Sequence, residues 1–375
     1  MNLSFITTMA GHAWGGSEEL WVKLAHDALI DGHQVECSVF NWGQLPPKIQ
    51  ALQVAGVAVQ KRSRFIYPEL HKKPWGKIIE RTIAAKQLSK HLANKDFALI
   101  SMGGFCDLEV DAFRKPLLSA KAPFSIVVHV NPDDYYLNTH KISEIIKVCQ
   151  KAHKVYFVSN RLKEIAIRQT GYSFPNGELI INPVNMSEVG VLPYPKTDTL
   201  QMACVGRLDA KVKGQAIALQ CLADMQWKQR DWHLNIYGTG QDLNYFKLLC
   251  KNFGIENRVS FHGFTNDIRK DIWANNHLLL MPSYFEGLPI ALVEAMLCGR
   301  TAVATDVGGN AEILKDNETG FIAMAANKGA FSEALERAWQ QNHQWKEMGE
   351  NAYSSCYRFF YDSGHPKHIN DILPK

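Results

Sequence analysis

Glu286 and Glu294 are eight positions apart in Ser283-Tyr284-Phe285-Glu286-Gly287-Leu288-Pro289-Ile290-Ala291-Leu292-Val293-Glu294-Ala295-Met296-Leu297-Cys298-Gly299. The apolar run Leu278–Met281 before it reads as a buried strand. Pro289 suits the first turn of a following helix, because its missing N–H needs no partner there. Glu294 is surrounded by Ile290, Ala291, Leu292, Val293, Ala295, Met296 and Leu297, so the sequence offers it no polar face. A carboxylate in such a place must have a partner. Helical side chains lean toward the N-terminus, so Glu294 can reach back to the loop holding Glu286 and Gly287. The free N–H groups and the positive end of the helix dipole point to the same place. Two acids beside backbone donors suit a ligand carrying both hydroxyls and phosphates. The alternative is a buried structural Glu satisfied by backbone.

A second group of charges precedes it. Strand Met202–Val205 leads into Gly206-Arg207-Leu208-Asp209-Ala210-Lys211-Val212-Lys213-Gly214. At the end of a parallel strand Arg207 and Lys213 can converge on a diphosphate, the Arg through paired hydrogen bonds and the Lys as a point charge; solvent-facing charges would look similar. Cations for phosphates and acids for sugar hydroxyls together describe a nucleotide-sugar site. Other chemistries find less support. Tyr237-Gly238-Thr239-Gly240 lacks the third glycine of a dinucleotide fingerprint, and there is no P-loop and no G-x-S-x-G elbow. Asp133-Asp134 and Asp107-Leu108-Glu109 read as surface carboxylates rather than a cation site. The eight cysteines are scattered without a C-x-x-C pair, which fits free thiols in a reducing cytosol.

The elements that must position these residues alternate twice along the chain. At 375 residues, with 46% hydrophobic and 21% charged, the chain exceeds the roughly 250 residues of a single core. Leu3–Ile6, the Gly-rich loop Gly11–Gly16, a helix Ser17–Ile30 capped by Ser17, and strand His33–Phe40 form a β-loop-α-β unit. Gly15-Gly16 at a helix start allows close approach of a phosphate. Strands follow at Val54–Val59, Phe97–Ser101, Phe124–Val128, Lys154–Ser159 and Leu179–Ile181, with His129 at the end of one of them. A proline-bearing connector around Asn182–Asn185 and Pro193–Pro195 precedes a second alternation from Met202 to Ile322. Two doubly wound parallel sheets are the expected architecture: an α/β chain with domains at 1–182 and 183–356 and a tail at 357–375. No segment approaches membrane-spanning length, and a cytoplasmic protein is expected.

The net charge of +4 is uneven, with 22 Lys+Arg against 16 Asp+Glu through Asn182. The excess lies in Lys61–Lys95, where Lys61, Arg62, Arg64, Lys72, Lys73, Lys77, Arg81, Lys86, Lys90 and Lys95 face only Glu69 and Glu80. A solvated basic helix face explains this pattern; attraction to an anionic membrane surface or another polyanion is the functional alternative.

The residues of the second half resemble the retaining glycosyltransferases of family 4, which share the GT-B fold of two Rossmann-like domains facing across a cleft. Glu286-Gly287-Leu288-Pro289 followed by Glu294 matches that family's E-x7-E signature. Gly206-Arg207-Leu208 with Lys213-Gly214 resembles its diphosphate loop, and Gly308-Gly309-Asn310 with Glu312 resembles the segment after the next strand. Gly15-Gly16-Ser17-Glu18 and His129 extend the likeness more weakly. The resemblance implies that Glu294 holds the ribose, Glu286 the hydroxyls of the transferred sugar, and the backbone around Gly287, Leu288 and Pro289 sugar and phosphate. Arg207 and Lys213 would neutralise the departing diphosphate, Gly16 would approach the phosphates, and His129 would sit near the reacting sugar. The Arg-to-Lys spacing is one residue longer than usual, so Lys211 competes with Lys213. Val130-Asn131-Pro132 separates His129 from the acid that commonly follows it.

The implied activity is metal-independent, cofactor-free transfer of a hexose-like sugar, with retention, to a glycan or lipid-linked acceptor, as in polysaccharide biosynthesis. The protein would be peripheral at the inner face of the membrane where Lys61–Lys95 reaches anionic lipid. The alternatives are a nucleotide-sugar-binding protein without transfer, a GT-B-fold epimerase, or nucleic acid as the polyanionic acceptor.

Overall fold

The computed structural model describes residues 1–9, 11, 13–62, 74–184, 186 and 188–374, with side chains in the helix Pro74–Leu92 described from 82 onward. Two compact units emerge: Met1–Pro183 with His365–Lys375, and Val184–Gly364.

The first unit is built on strands β1 (Asn2–Thr7), β2 (Gln34–Phe40), β3 (Ala58–Arg62), β4 (Phe97–Met102), β5 (Phe124–Val128), β6 (Val155–Phe157) and β7 (Gly177–Leu179). All pair in parallel, in the order β3-β2-β1-β4-β5-β6-β7. β4 and β5 are buried along their whole length, as expected of central parallel strands covered on both faces. The helix Gly16–Ile30 buries Leu20, Leu24 and Ala28.

The second unit carries β8 (Leu200–Val205), β9 (Trp232–Tyr237), β10 (Val259–Gly263), β11 (Leu278–Met281), β12 (Thr301–Thr305) and β13 (Phe321–Ala323), again all parallel, in the order β10-β9-β8-β11-β12-β13. Its core includes the fully buried Trp227, Trp232 and Trp345 with Phe246 and Phe331. Each sheet thus reverses its strand order once, between β1 and β4 and between β8 and β11. Ligands of open α/β sheets bind at the carboxyl ends of the strands at such points.

Several local expectations are corrected. Ser17 does not cap its helix: Gly15 holds the N-cap position, and the Ser17 hydroxyl donates to Glu18 Oε2 at 2.6 Å. Val54 closes a helix, Pro47–Val54, entered through Pro46-Pro47, so β3 begins only at Ala58. β7 lies two residues earlier than Leu179–Ile181, although Ile180 still donates to the Phe157 carbonyl. The helix Pro74–Leu92, which the amphipathic pattern of Lys77–Ala93 predicts with Ile83, Leu88 and Leu92 on its apolar face, buries Ala84, Leu88 and Leu92 but exposes Ile83.

The basic patch also loses members. Arg62 is buried, with its guanidinium over Phe40 and donating to the carbonyls of Thr7 and Ser38, and burial pulls its pKa down to about 9. Lys95 is buried against Glu36 at 2.7 Å. Lys61, Lys86 and Lys90 remain exposed, while Arg64, Lys72, Lys73 and the side chains of Lys77 and Arg81 lie outside the described residues.

All eight cysteines are free thiols. No helix among the described residues is long and apolar enough to cross a membrane.

Arg300, fully buried, ties the second unit together. Its Nε donates to the carbonyls of Trp273 and Asn276 at 2.9 Å each, its Nη2 to Pro193 at 2.7 Å, and its Nη1 to Leu192, Cys298 and Gly299 at 3.2 Å each. Each buried carbonyl left without a donor costs roughly 1–3 kcal/mol. Arg300→Leu is therefore expected to destabilise the second unit by about 3 kcal/mol or more, read as a lower urea midpoint. An unchanged midpoint contradicts this role.

Candidate functional site

At the second sheet's switch point, β8 runs into Gly206–Gly214 and β11 into Pro282–Pro289. Backbone contacts lock the two loops together. Tyr284 N donates to Val212 O at 2.9 Å, and Gly214, at φ +61°, sits where a Cβ would collide with the Pro282 carbonyl. The loop after β12 closes the other side: Gly309 N donates to Gly287 O at 2.7 Å, and Gly308, at φ +51°, leaves no room for a Cβ against Glu286 O. The Thr305 hydroxyl holds Ser283 O at 2.6 Å. In both glycines the left-handed conformation and the close approach exclude a side chain.

This scaffold brings Lys213 and Glu286 together. The Lys213 stem lies across Gly206, and its Nζ is 2.7 Å from Glu286 Oε1, an oxygen that also accepts from Ser283 Oγ at 2.6 Å. The Glu286 side chain is 8% exposed, against 24% for Lys213. Lys211 is exposed, on a turn where its N–H binds Asp209 Oδ1 at 3.1 Å, so Lys213 is the lysine that reaches the acid.

Arg207 is half-buried with its carbonyl held by Gln215 Nε2 at 2.6 Å. Its Nη1 is buried without a hydrogen-bond partner, and burial lowers its pKa against the pull of Asp209 and Glu286. A guanidinium N–H so placed is a donor awaiting an acceptor. Glu294 is 7% exposed in the helix Ile290–Leu297. Pro289 is the N-cap rather than a first-turn residue, with extended backbone, and Gly287, Leu288 and Pro289 are all buried.

In the first unit, the loops after β1, β4 and β5 carry a separate polar cluster. Gly16 opens its helix directly after β1's loop. His129 is buried, with Nε2 3.0 Å from Ser101 Oγ and Nδ1 without a hydrogen-bond partner; burial drives its pKa down to about 3, so the ring is neutral. Two acids here differ from their sequence reading, and Asp107, expected as a surface carboxylate, is withdrawn from solvent. Asp107 accepts from Thr8 Oγ1 at 2.6 Å and Gly103 N at 2.9 Å, and burial raises its pKa. Glu18, named from sequence only in the weaker likeness of Gly15-Gly16-Ser17-Glu18, is 3% exposed, accepts from Ser17 and from Thr7 Oγ1 at 3.3 Å, and is pushed up to about 7 by burial. Its only sequence signal was its place after Gly15-Gly16. Asp133 is paired with Arg161 and Arg168, and Glu109 accepts from Tyr135 and the Asn138 N–H. No group of three His, Cys, Asp or Glu able to hold a metal occurs among the described residues.

Glu18 makes stability depend on pH in a definite direction. Its carboxyl binds a proton more tightly in the folded chain, so its favourable contribution is complete below about pH 4.5 and is lost as pH rises through about 7. Glu18→Gln is expected to gain stability over wild type across that window, with a slope of up to about 1.4 kcal/mol per pH unit. Urea unfolding at pH 5 and 7.5 measures it; a difference that does not grow with pH contradicts the assignment.

Residues 194–355 match the family described as glycosyl transferases group 1. The lipopolysaccharide 1,6-galactosyltransferase of Salmonella typhimurium is 29% identical over 167 residues, covering 44% of this chain and 46% of that protein. An alpha-1,4-N-acetyl-D-galactosaminyltransferase of Campylobacter jejuni, named for an undecaprenol-linked substrate, is 24% identical, covering 96% of this chain and 94% of its own. The chain spans less than half the length of the first curated relatives it matches. Among solved structures, Anabaena HepE in complex with UDP-glucose superposes with a TM-score of 0.70 at 17% identity, covering 99% of this chain and 96% of that one, which establishes a shared GT-B fold. Through residues 194–355, then, this chain is similar to the glycosyl transferases group 1 family.

Proposed function

We propose that the protein transfers a hexose from a nucleoside diphosphate sugar to an acceptor hydroxyl, with retention of configuration. The observation carrying this reading is the Lys213–Glu286 pair beside the unpartnered Nη1 of Arg207 at the β8/β11 switch point. It supports a reading in which two cations hold the diphosphate and a buried carboxylate meets the sugar hydroxyls.

Arg207 and Lys213 would hold the diphosphate and stabilise the charge that grows on it as the bond from the anomeric carbon to the β-phosphate oxygen breaks. The acceptor oxygen would bond to that carbon on the same face, its proton passing to the departing phosphate oxygen. With two side-chain cations supplying the positive charge, this path needs no metal and no cofactor. Glu286 would orient the sugar through its hydroxyls, Glu294 would hold the ribose, and the backbone of Gly287, Leu288 and Pro289 would line sugar and phosphate. In the first unit, Gly16 and His129, with its neutral ring, would contact substrate.

UDP-glucose in HepE favours a UDP-hexose donor, and the two named transferases favour a glycan or lipid-linked glycan as acceptor. An anionic membrane surface engaged by Lys61, Lys86 and Lys90 would suit a lipid-linked one.

The division of labour between the acids is directly testable. Glu286→Ala is expected to keep UDP affinity within a few-fold while losing transfer, whereas Glu294→Ala loses UDP affinity itself. Arg207→Ala is expected to lower kcat/KM by about 10²–10³-fold. Calorimetry with UDP and UDP release from a donor panel read both. Wild-type transfer by Glu286→Ala from every donor used would contradict the assignment, and donor binding without UDP release in the presence of any acceptor would mark a binding protein.

A further inference from the structure

Parallel sheets are covered on both faces, and their strands are correspondingly apolar on both. The β9/β10 edge of the second sheet departs from this. Trp232, Leu234 and Ile236 enter the core, while the alternate residues His233, Asn235 and Tyr237, with Ser260 and His262 of β10, line the opposite face. Over that face lies a cavity of about 630 Å³, bordered by Gln201, Asn235, Tyr237, His262 and Phe264. Its volume is that of a small-molecule site, roughly 300–1,000 Å³.

The floor is pre-organised. Asn235 Nδ2 donates to Gln201 Oε1 at 3.0 Å and to Asn276 Oδ1 at 2.9 Å, and Asn276 Nδ2 donates to the Tyr237 hydroxyl at 3.2 Å. His262 Nε2 lies 2.8 Å from Asn235 Oδ1, which can only accept; the proton is therefore on Nε2, and Nδ1 is left as an acceptor in the neutral ring. The Tyr237 and His262 rings stack at 4.6 Å and 14°. Phe264 is 75% exposed at the border.

Charge narrows the ligand. Among the described residues no Lys or Arg borders the cavity, and the one charged residue there, Asp271, accepts from Thr265 Oγ1. Such a lining repels phosphates and suits an uncharged polyhydroxyl compound. Fixed amides meet hydroxyl groups, and a flat exposed ring meets the C–H face of a pyranose. We propose that this face of the second sheet binds a short neutral glycan at a site sharing no residue with the Arg207, Lys213, Glu286 and Glu294 group. Such a site would work whether or not the transfer proposed above takes place; with it, the site would retain an acceptor or product chain between turnovers.

Saturation-transfer NMR on the full chain tests this with maltotriose, isomaltotriose, α-1,2-mannotriose and chitotriose, each with and without excess UDP. At least one trisaccharide is expected to receive saturation in both conditions. Phe264→Ala, a change at an exposed position, is expected to weaken its binding three- to tenfold with an unaltered melting temperature, and Gln201→Ala to weaken it as well. Binding of none of the four, abolition by UDP, or indifference to both substitutions overturns the proposal. Failure of UDP itself to bind would count against the donor site and leave this result standing.

Discussion

The second unit depends on one constraint: a lysine and a glutamate from loops 73 positions apart must meet at the point where strand order reverses. A carboxylate as buried as Glu286 loses water that only a cation or hydrogen-bond donors can replace. Lys213 and Ser283 supply both, and they do so only if the β8 and β11 loops keep their relative position. Gly214 against Pro282 and Gly308 against Glu286 fix it through backbone contacts too close for any side chain. The charged pair is thus an outcome of backbone packing, and that is what allows a site to be ready before its ligand arrives.

The same logic explains why the buried Arg300 and the half-buried Arg207 have different meanings. Arg300 gives its guanidinium N–H groups to carbonyls on several segments and serves the fold. Arg207 keeps a buried N–H without an acceptor. Arg300 is satisfied by the fold, whereas the diphosphate proposed above would supply the acceptor that Arg207 Nη1 lacks.

Much of this was legible in the sequence. The strands Phe124–Val128, Leu278–Met281 and Thr301–Thr305 are uninterrupted buried runs, and Glu294 stood out because no polar face was available to it. The choice between Lys211 and Lys213 was not legible, since it turns on a loop in which Asp209 binds the Lys211 N–H and directs the second lysine over Gly206. Nor was the fate of Arg62, which sits among basic neighbours in sequence yet folds under Phe40. Glu18 and Asp107 share this difficulty: their burial arises from strands brought together by the sheet, which spacing along the chain does not encode. Ser17 shows the limit of cap rules, because a neighbouring carboxylate competed for its hydroxyl.

The proposed activity rests on where a nucleoside diphosphate binds. A crystal structure of the protein soaked with UDP measures this most directly. The diphosphate is expected within hydrogen-bonding distance of Arg207 Nη1 and Lys213 Nζ, with the ribose hydroxyls on Glu294. A well-ordered UDP elsewhere, with the Lys213–Glu286 pair and Arg207 untouched, would contradict it.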